Sequence, residues 1–238
     1  MAKENKEAVV ISFANQKGGV GKSTLTAMLA NYIHNETELQ VFVSDSDNQK
    51  TLVELRSEDL SELEGNEQGE EKVDPDDMYY ILPVHAKDFM NTYEESIKDE
   101  FDVCLLDVPG TMDAPGVIEA LVAVDYLFIP MGTDRKESNS SMEFYNWYMD
   151  NVKPLREEAG FEVNVFGVMN RVRKNITEYK HFSEIKDQLP LKFVSVDLPD
   201  NQVTFQRNSN TWKSLEYSTG GTVIQDFCKE ILSLCKIN

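Results

Sequence analysis

A chain of 238 residues with 41% apolar and 10% aromatic residues is long enough for one α/β domain with a sizeable core. A formal charge of −19 excludes a surface that coats nucleic acid indiscriminately, and no apolar run approaches the ~20 residues of a membrane span. The N-terminus has no apolar signal core, so a cytoplasmic protein is expected.

The first apolar run, AVVISFA (8–14), reads as a strand. It leads into NQKGGVGKST (15–24) and then a helix with Leu25, Met28, Leu29, Tyr32 and Ile33 on one face. Strand, glycine-rich loop, then helix is the context that a phosphate-binding loop requires. Gly18, Gly19 and Gly21 let backbone N–H groups approach phosphate oxygens, and Val20 and Thr24 complete the cradle. The helix adds its positive dipole end, Lys22 can reach the β- and γ-phosphates, and the Ser23 hydroxyl can ligate Mg²⁺. The usual spacing wants glycine at position 16. Here Gln16 stands there, and an extra lysine, Lys17, follows.

The second run, VFVSDSD (41–47), ends in two carboxylates, Asp45 and Asp47, which strand alternation would put on one face. Either they hold a cation or a catalytic water, or they cap a helix starting near Thr51. Residues 56–77 carry ten acids against Arg56 and Lys72, and read as a helix end followed by an acidic surface insertion. YYILPV (79–84) is a third strand, and LLDVPG (105–110) lies at the end of a fourth, DVCLLDVP (102–109). Asp107 at that strand's carboxyl end can hold magnesium through water, and Gly110 permits a loop that senses the γ-phosphate.

YLFIPMG (126–132), VNVFGVMN (163–170) and FVSVDLP (193–199) are three further strands, and 136–153, 177–188 and 222–236 are helical. Near-continuous apolar runs that alternate with helices mean a mostly parallel sheet covered on both faces. Residues 170–192 form a local basic patch, with six basic residues against three acids. Arg171, Arg173 and Lys174 are its leading edge, and Arg207 could join it in space. Non-specific DNA affinity comes from such phosphate contacts, and distant acids are screened beyond ~8 Å. The cysteines (Cys104, Cys228, Cys235) have no metal-ligand spacing and read as small buried apolar residues.

The loop KGGVGKS, the D-S-D-N-Q element and LLDVPG together resemble the ParA family of partition ATPases, relatives of MinD with signature-lysine phosphate loops. The similarity runs over residues 8–236, through IPMGTDRKESNSSMEF (129–144), GVMNRVRKNITEY (167–179) and VSVDLPDNQV (194–203). It departs from the family where Asn48 replaces a usual proline and where Pro109-Gly110 replaces Pro-Pro or Pro-Ser.

The resemblance implies one three-layer P-loop ATPase domain over residues 1–238, with ATP and Mg²⁺ as cofactors. Lys22 and the loop amides would hold the triphosphate. Ser23, with Asp107 and Asp45, would serve the metal, and Asp47 would orient the attacking water. Asn170, Pro199 and Asp200 would flank the base, and Lys17 would reach the nucleotide of a second subunit in an ATP-bound homodimer. It further implies a ParB-like or other activating protein, DNA bound without sequence preference, and no stable membrane insertion. A short chain without an N-terminal helix-turn-helix is expected. The alternative is a MinD-like ATPase acting on a membrane or a protein complex. Against it stand Gln16 and a C-terminal helix with only Lys229 and Lys236 as basic residues. An iron–sulfur reductase of the same fold would need cysteines at a dimer axis, where none of the three falls.

Overall fold

The computed structural model describes residues 7–65, 74, 77–175, 177–200, 210–213 and 221–237. Seven strands form one sheet in the order β3-β2-β4-β1-β5-β6-β7, with every pairing parallel. They are β1 (Val9–Phe13), β2 (Val41–Asp45), β3 (Tyr80–Pro83), β4 (Val103–Asp107), β5 (Tyr126–Met131), β6 (Asn164–Met169) and β7 (Lys192–Phe193). Helices α1 (Lys22–Glu36), α2 (Thr51–Gly65), the single turn α3 (Phe89–Thr92), α4 (Val117–Val122), α5 (Arg135–Asn151), α6 (Lys153–Glu158), α7 (Thr177–Ile185) and α8 (Gly221–Leu234) intervene or follow.

Strand alternation sends successive side chains to opposite layers, and both layers are apolar. Ile11, Phe13, Val43, Leu105 and Phe128 pack on one face with α1 and α8, through Leu25, Leu29, Phe227 and Ile231. Val10, Phe42, Cys104, Leu106 and Ile129 pack on the other, against Phe89, Leu121, Phe144 and Tyr148. This double burial is why the strands read as unbroken apolar runs. All three cysteines are free and buried, Cys104 in β4, Cys228 in the middle of α8 and Cys235 just after it. Burial pushes each thiol above its ordinary range. Among the described residues, no helix is long and apolar enough to cross a membrane.

One expectation needs correction. The run 193–199 yields only a two-residue strand. The Glu230 carboxylate on α8 accepts from the backbone amides of Ser195 (2.6 Å) and Val196 (3.0 Å), so those donors leave the ladder. The acidic stretch begins as the expected helix end, with α2 continuing to Gly65. Within it, Asp59 is buried and accepts from the Thr211 amide (2.8 Å) and hydroxyl (2.6 Å). Arg56 donates to the Thr211 carbonyl oxygen and to the Tyr79 carbonyl oxygen. Residues 66–73, 75 and 76 lie outside the described residues.

Candidate nucleotide site

The carboxyl ends of β1, β2 and β4 open into a cleft of about 550 Å³, where ligands bind in open α/β sheets. The loop between β1 and α1 forms its floor, with Gln16, Gly18, Gly19, Gly21, Lys22, Ser23 and Thr24 on the lining. Gly21 adopts φ +97°, and a Cβ there would stand 2.6 Å from Asn170 Nδ2. Glycine is therefore required both by the turn into α1 and by the close approach of Asn170. Asn170 is buried and donates to the Val20 carbonyl oxygen (2.8 Å), which fixes the loop from the β6 side.

Ser23 Oγ donates to Asp107 Oδ2 at 2.6 Å. Asp107 is fully buried, and desolvation pushes its carboxyl up to about 7, against the Ser23 hydrogen bond and the nearby Lys22 charge. Its second oxygen, Oδ1, is buried with no hydrogen-bond partner. An orphaned carboxylate oxygen beside a hydroxyl is a hard-oxygen pair, and it fits Mg²⁺ held mainly through water. Among the described residues, no three His, Cys, Asp or Glu side chains gather as a metal cluster. Gly110 passes close above, since a Cβ there would lie 3.4 Å from Lys22 Nζ.

The two carboxylates after β2 part company. Asp47 lines the cleft with Asn48, Gln49 and Thr51, and its Oδ1 accepts from the Gln49 amide (3.1 Å). Asp45 is buried, and its Oδ2 accepts from the amides of Leu52 (2.9 Å) and Val53 (3.1 Å). That carboxylate faces the start of α2, where it satisfies otherwise orphaned helix donors. Its other oxygen, Oδ1, is buried without a hydrogen-bond partner, as Asp107 Oδ1 is, and the two residues pair in register on adjacent strands; since β2 ends at Asp45, alternation no longer puts Asp47 beside it.

Lys17 does not line the cleft. Its Nζ donates to Glu137 Oε1 (2.7 Å) in the first turn of α5. The neighbouring loop residues turn the same way. Asn15, fully buried, donates to the Pro130 carbonyl oxygen and to Ser141 Oγ (both 2.8 Å), and its Oδ1 accepts from the Lys17 amide (3.0 Å). Gln16 Nε2 donates to the Ser140 carbonyl oxygen (3.1 Å). The residues that broke the loop pattern thus bridge it to α5. Asn15 and Glu137 were not singled out from sequence. The polar Asn15 at the end of an apolar strand was the available signal.

Near the expected base site, Pro199 bridges Val172, and Asp200 Oδ2 pairs with Arg173 (2.6 Å). Arg171 turns instead to the phosphate loop, donating to the Gly19 carbonyl oxygen (2.7 Å), and lines the cleft. Arg171 is thereby set apart from Arg173 and Lys174, the other cations of the expected patch. Lys174 and Lys186 both lie 3.9 Å from Asp197. Arg207 lies outside the described residues. A second cavity of about 610 Å³ is lined by Met90, Tyr93, Leu155 and Phe161 with Glu7 and Glu119, and has no phosphate-binding groups.

A glycine-rich loop opening a helix, a lysine, and a hydroxyl–carboxylate pair at the strand ends define a P-loop nucleotide-binding protein. The chain belongs to the CobQ/CobB/MinD/ParA nucleotide binding domain family, which it matches over residues 11–210. It is 31% identical over 134 residues to the chromosome-partitioning ATPase Soj of Thermus thermophilus, covering 51% of this chain and 53% of Soj. The match therefore spans about half the length of that relative.

Solved structures share the fold. A plasmid partition protein of Borrelia burgdorferi bound to AMPPNP superposes with TM-score 0.68 at 18% identity, covering 96% of this chain and 99% of that one. The McdA–ATP complex of Cyanothece gives 0.71 at 15% identity, covering 98% of each chain. MinD in the MinC:MinD complex of Aquifex aeolicus gives 0.66 at 19% identity, covering 95% and 96%.

Proposed function

We propose that this protein is a ParA-type ATPase that binds ATP with Mg²⁺ in the cleft, dimerises around the nucleotides, and hydrolyses ATP to ADP and phosphate. Lys22 and the loop amides neutralise the β- and γ-phosphates, and Ser23 and Asp107 hold the metal's shell. The metal would supply charge neutralisation at the phosphates, which, together with positioning, is most of what phosphoryl transfer needs. Asp47, the cleft carboxylate, orients the attacking water. Asn170, Pro199 and Asp200 shape the base end.

The observation that carries this reading is the placement of the two lysines. Lys22 lines its own cleft, whereas Lys17 stands on the outer flank of the same loop. A cation there can pass from Glu137 to the nucleotide of a neighbouring subunit, where it would stabilise transition-state charge in trans and tie hydrolysis to association. The test is mass measurement in solution with Mg²⁺ and a non-hydrolysable ATP analogue. Wild type should shift from monomer to dimer and Lys17→Ala should not. A Lys17→Ala protein that dimerises as wild type does would overturn the trans role.

The cycle serves the positioning of DNA, plasmid or chromosomal, with a ParB-like activator. What supports this is the role of the relatives: chromosome partition for Soj and plasmid partition for the Borrelia burgdorferi protein. A MinD-like membrane role is less well supported. The apolar face of α8 (Ile224, Phe227, Ile231) is buried in the core, so it is not available to a lipid surface.

A further inference from the structure

Arg171 stands apart from the other cations of its segment. Arg173 pairs with Asp200, and Lys174 and Lys186 face Asp197. Arg171 has no carboxylate within ion-pair distance among the described residues; its guanidinium meets a neutral acceptor, the Gly19 carbonyl oxygen, at 2.7 Å. Its backbone takes φ +55°, a left-handed conformation that is unfavourable for a non-glycine residue. A solvated surface arginine has no need of that turn. Here it directs the side chain back over the phosphate loop, while the preceding Asn170 fixes Val20 and accepts from the Arg171 amide (3.0 Å).

The side chain lines the same cleft as Lys22 and Asp47. A guanidinium carries five N–H donors in a planar fork that matches phosphate oxygens, and a bond to an anion is roughly twice as strong as one to a neutral carbonyl. One donor is engaged at Gly19, so the fork is held at the loop with donors to spare.

We propose that Arg171 is a nucleotide-contact residue that binds the phosphate chain of the bound nucleotide, rather than a DNA contact. The proposal rests on the reading of the cleft as a nucleotide site. Arg171 acts from the β6 side of the loop and Lys22 from within it, so two cations of one subunit embrace the polyphosphate.

The experiment measures ATP and ADP affinity by displacement of a fluorescent ATP analogue, over a range of ionic strengths, for wild type, Arg171→Gln, Arg171→Lys and Lys22→Ala. Arg171→Gln should weaken ATP binding about tenfold or more at low salt, as loss of a hydrogen bond to a charged group does. The deficit should shrink as salt rises, because a charge contact is screened. Arg171→Lys should recover part of the loss. An Arg171→Gln affinity within twofold of wild type overturns the proposal. So does a deficit that is the same at every salt concentration and not relieved by lysine, since that marks mere bracing of the Gly19 carbonyl. Failure of the nucleotide-site reading is distinct: in that case Lys22→Ala would bind ATP as wild type does.

Discussion

Lys17 Nζ and Glu137 Oε1 stand 2.7 Å apart, joining the phosphate loop to the first turn of α5. Asp134 caps that turn, accepting from the amides of Lys136 (2.9 Å) and Glu137 (3.3 Å). A Cβ at Gly132 would overlap Glu137 Oε2, so glycine there makes room for the carboxylate. Both partners are about one-third exposed, and such a pair is worth at most ~1 kcal/mol. It holds Lys17 in a defined place through a contact weak enough to be broken. Glu137→Gln should lower the protein concentration needed for ATP-dependent dimerisation by about two- to fivefold, in line with the weakness of the pair. Sedimentation at several protein concentrations checks this. Weaker dimerisation in the variant would mean that Glu137 works in the dimer rather than holding the monomer.

Asp47 is the carboxylate that faces the cleft, whereas Asp45 is committed to the amides of α2. Asp47→Ala should keep ATP affinity and accumulate ATP-bound dimer while phosphate release falls about 100-fold or more, the usual weight of a positioned proton acceptor. Turnover at the wild-type rate would remove Asp47 from the mechanism.

Arg173, Lys174 and Lys186 of the basic segment after β6 face Asp200 and Asp197, so DNA affinity should be weak and steeply salt-dependent. With a non-hydrolysable ATP analogue, Arg173→Glu with Lys174→Glu should reduce binding to random-sequence duplex uniformly. The slope of log affinity against log salt should become shallower by about two. Absence of wild-type binding at low salt would reject a DNA role for this face.

Arg156 tests the fold rather than the site. It is 2% exposed and donates to the carbonyl oxygens of Val122 and Glu162, with Asp125 3.7 Å away. Arg156→Met leaves those acceptors unpaired in the interior and should cost about 3 kcal/mol in urea unfolding, within the range for broken buried charge networks. ATP affinity should be unchanged, because the residue lies outside the cleft. A loss below ~1 kcal/mol would show that water replaces the guanidinium.

Much of the architecture was readable in the residues. Apolar runs without polar alternation pointed to strands covered on both sides, and the β1 and β4 layers bear this out through Ile11 against Val10 and Leu105 against Cys104. The run 193–199 was legible as extended chain, but not its loss of pairing, which depends on Glu230 arriving from α8. In the acidic stretch, charge count concealed Asp59, whose burial depends on Thr211 far along the chain.

By itself the sequence determined what is local: the phosphate loop with Lys22 and Ser23, the strand-terminal Asp107, and a parallel sheet, because spacing and side-chain type set backbone conformation and donor identity over a few residues. Only the tertiary structure decided where similar groups point. Asp45 and Asp47 are two residues apart, yet one caps a helix and the other faces the cleft. Arg171 and Arg173 are equally close, yet one returns to the loop and the other pairs with Asp200. Lys17 and Lys22 share one loop, yet only contact with α5, more than a hundred residues on, separates their directions. A side chain's direction follows from the partners that satisfy its charge and hydrogen bonds, and those partners come from distant parts of the chain.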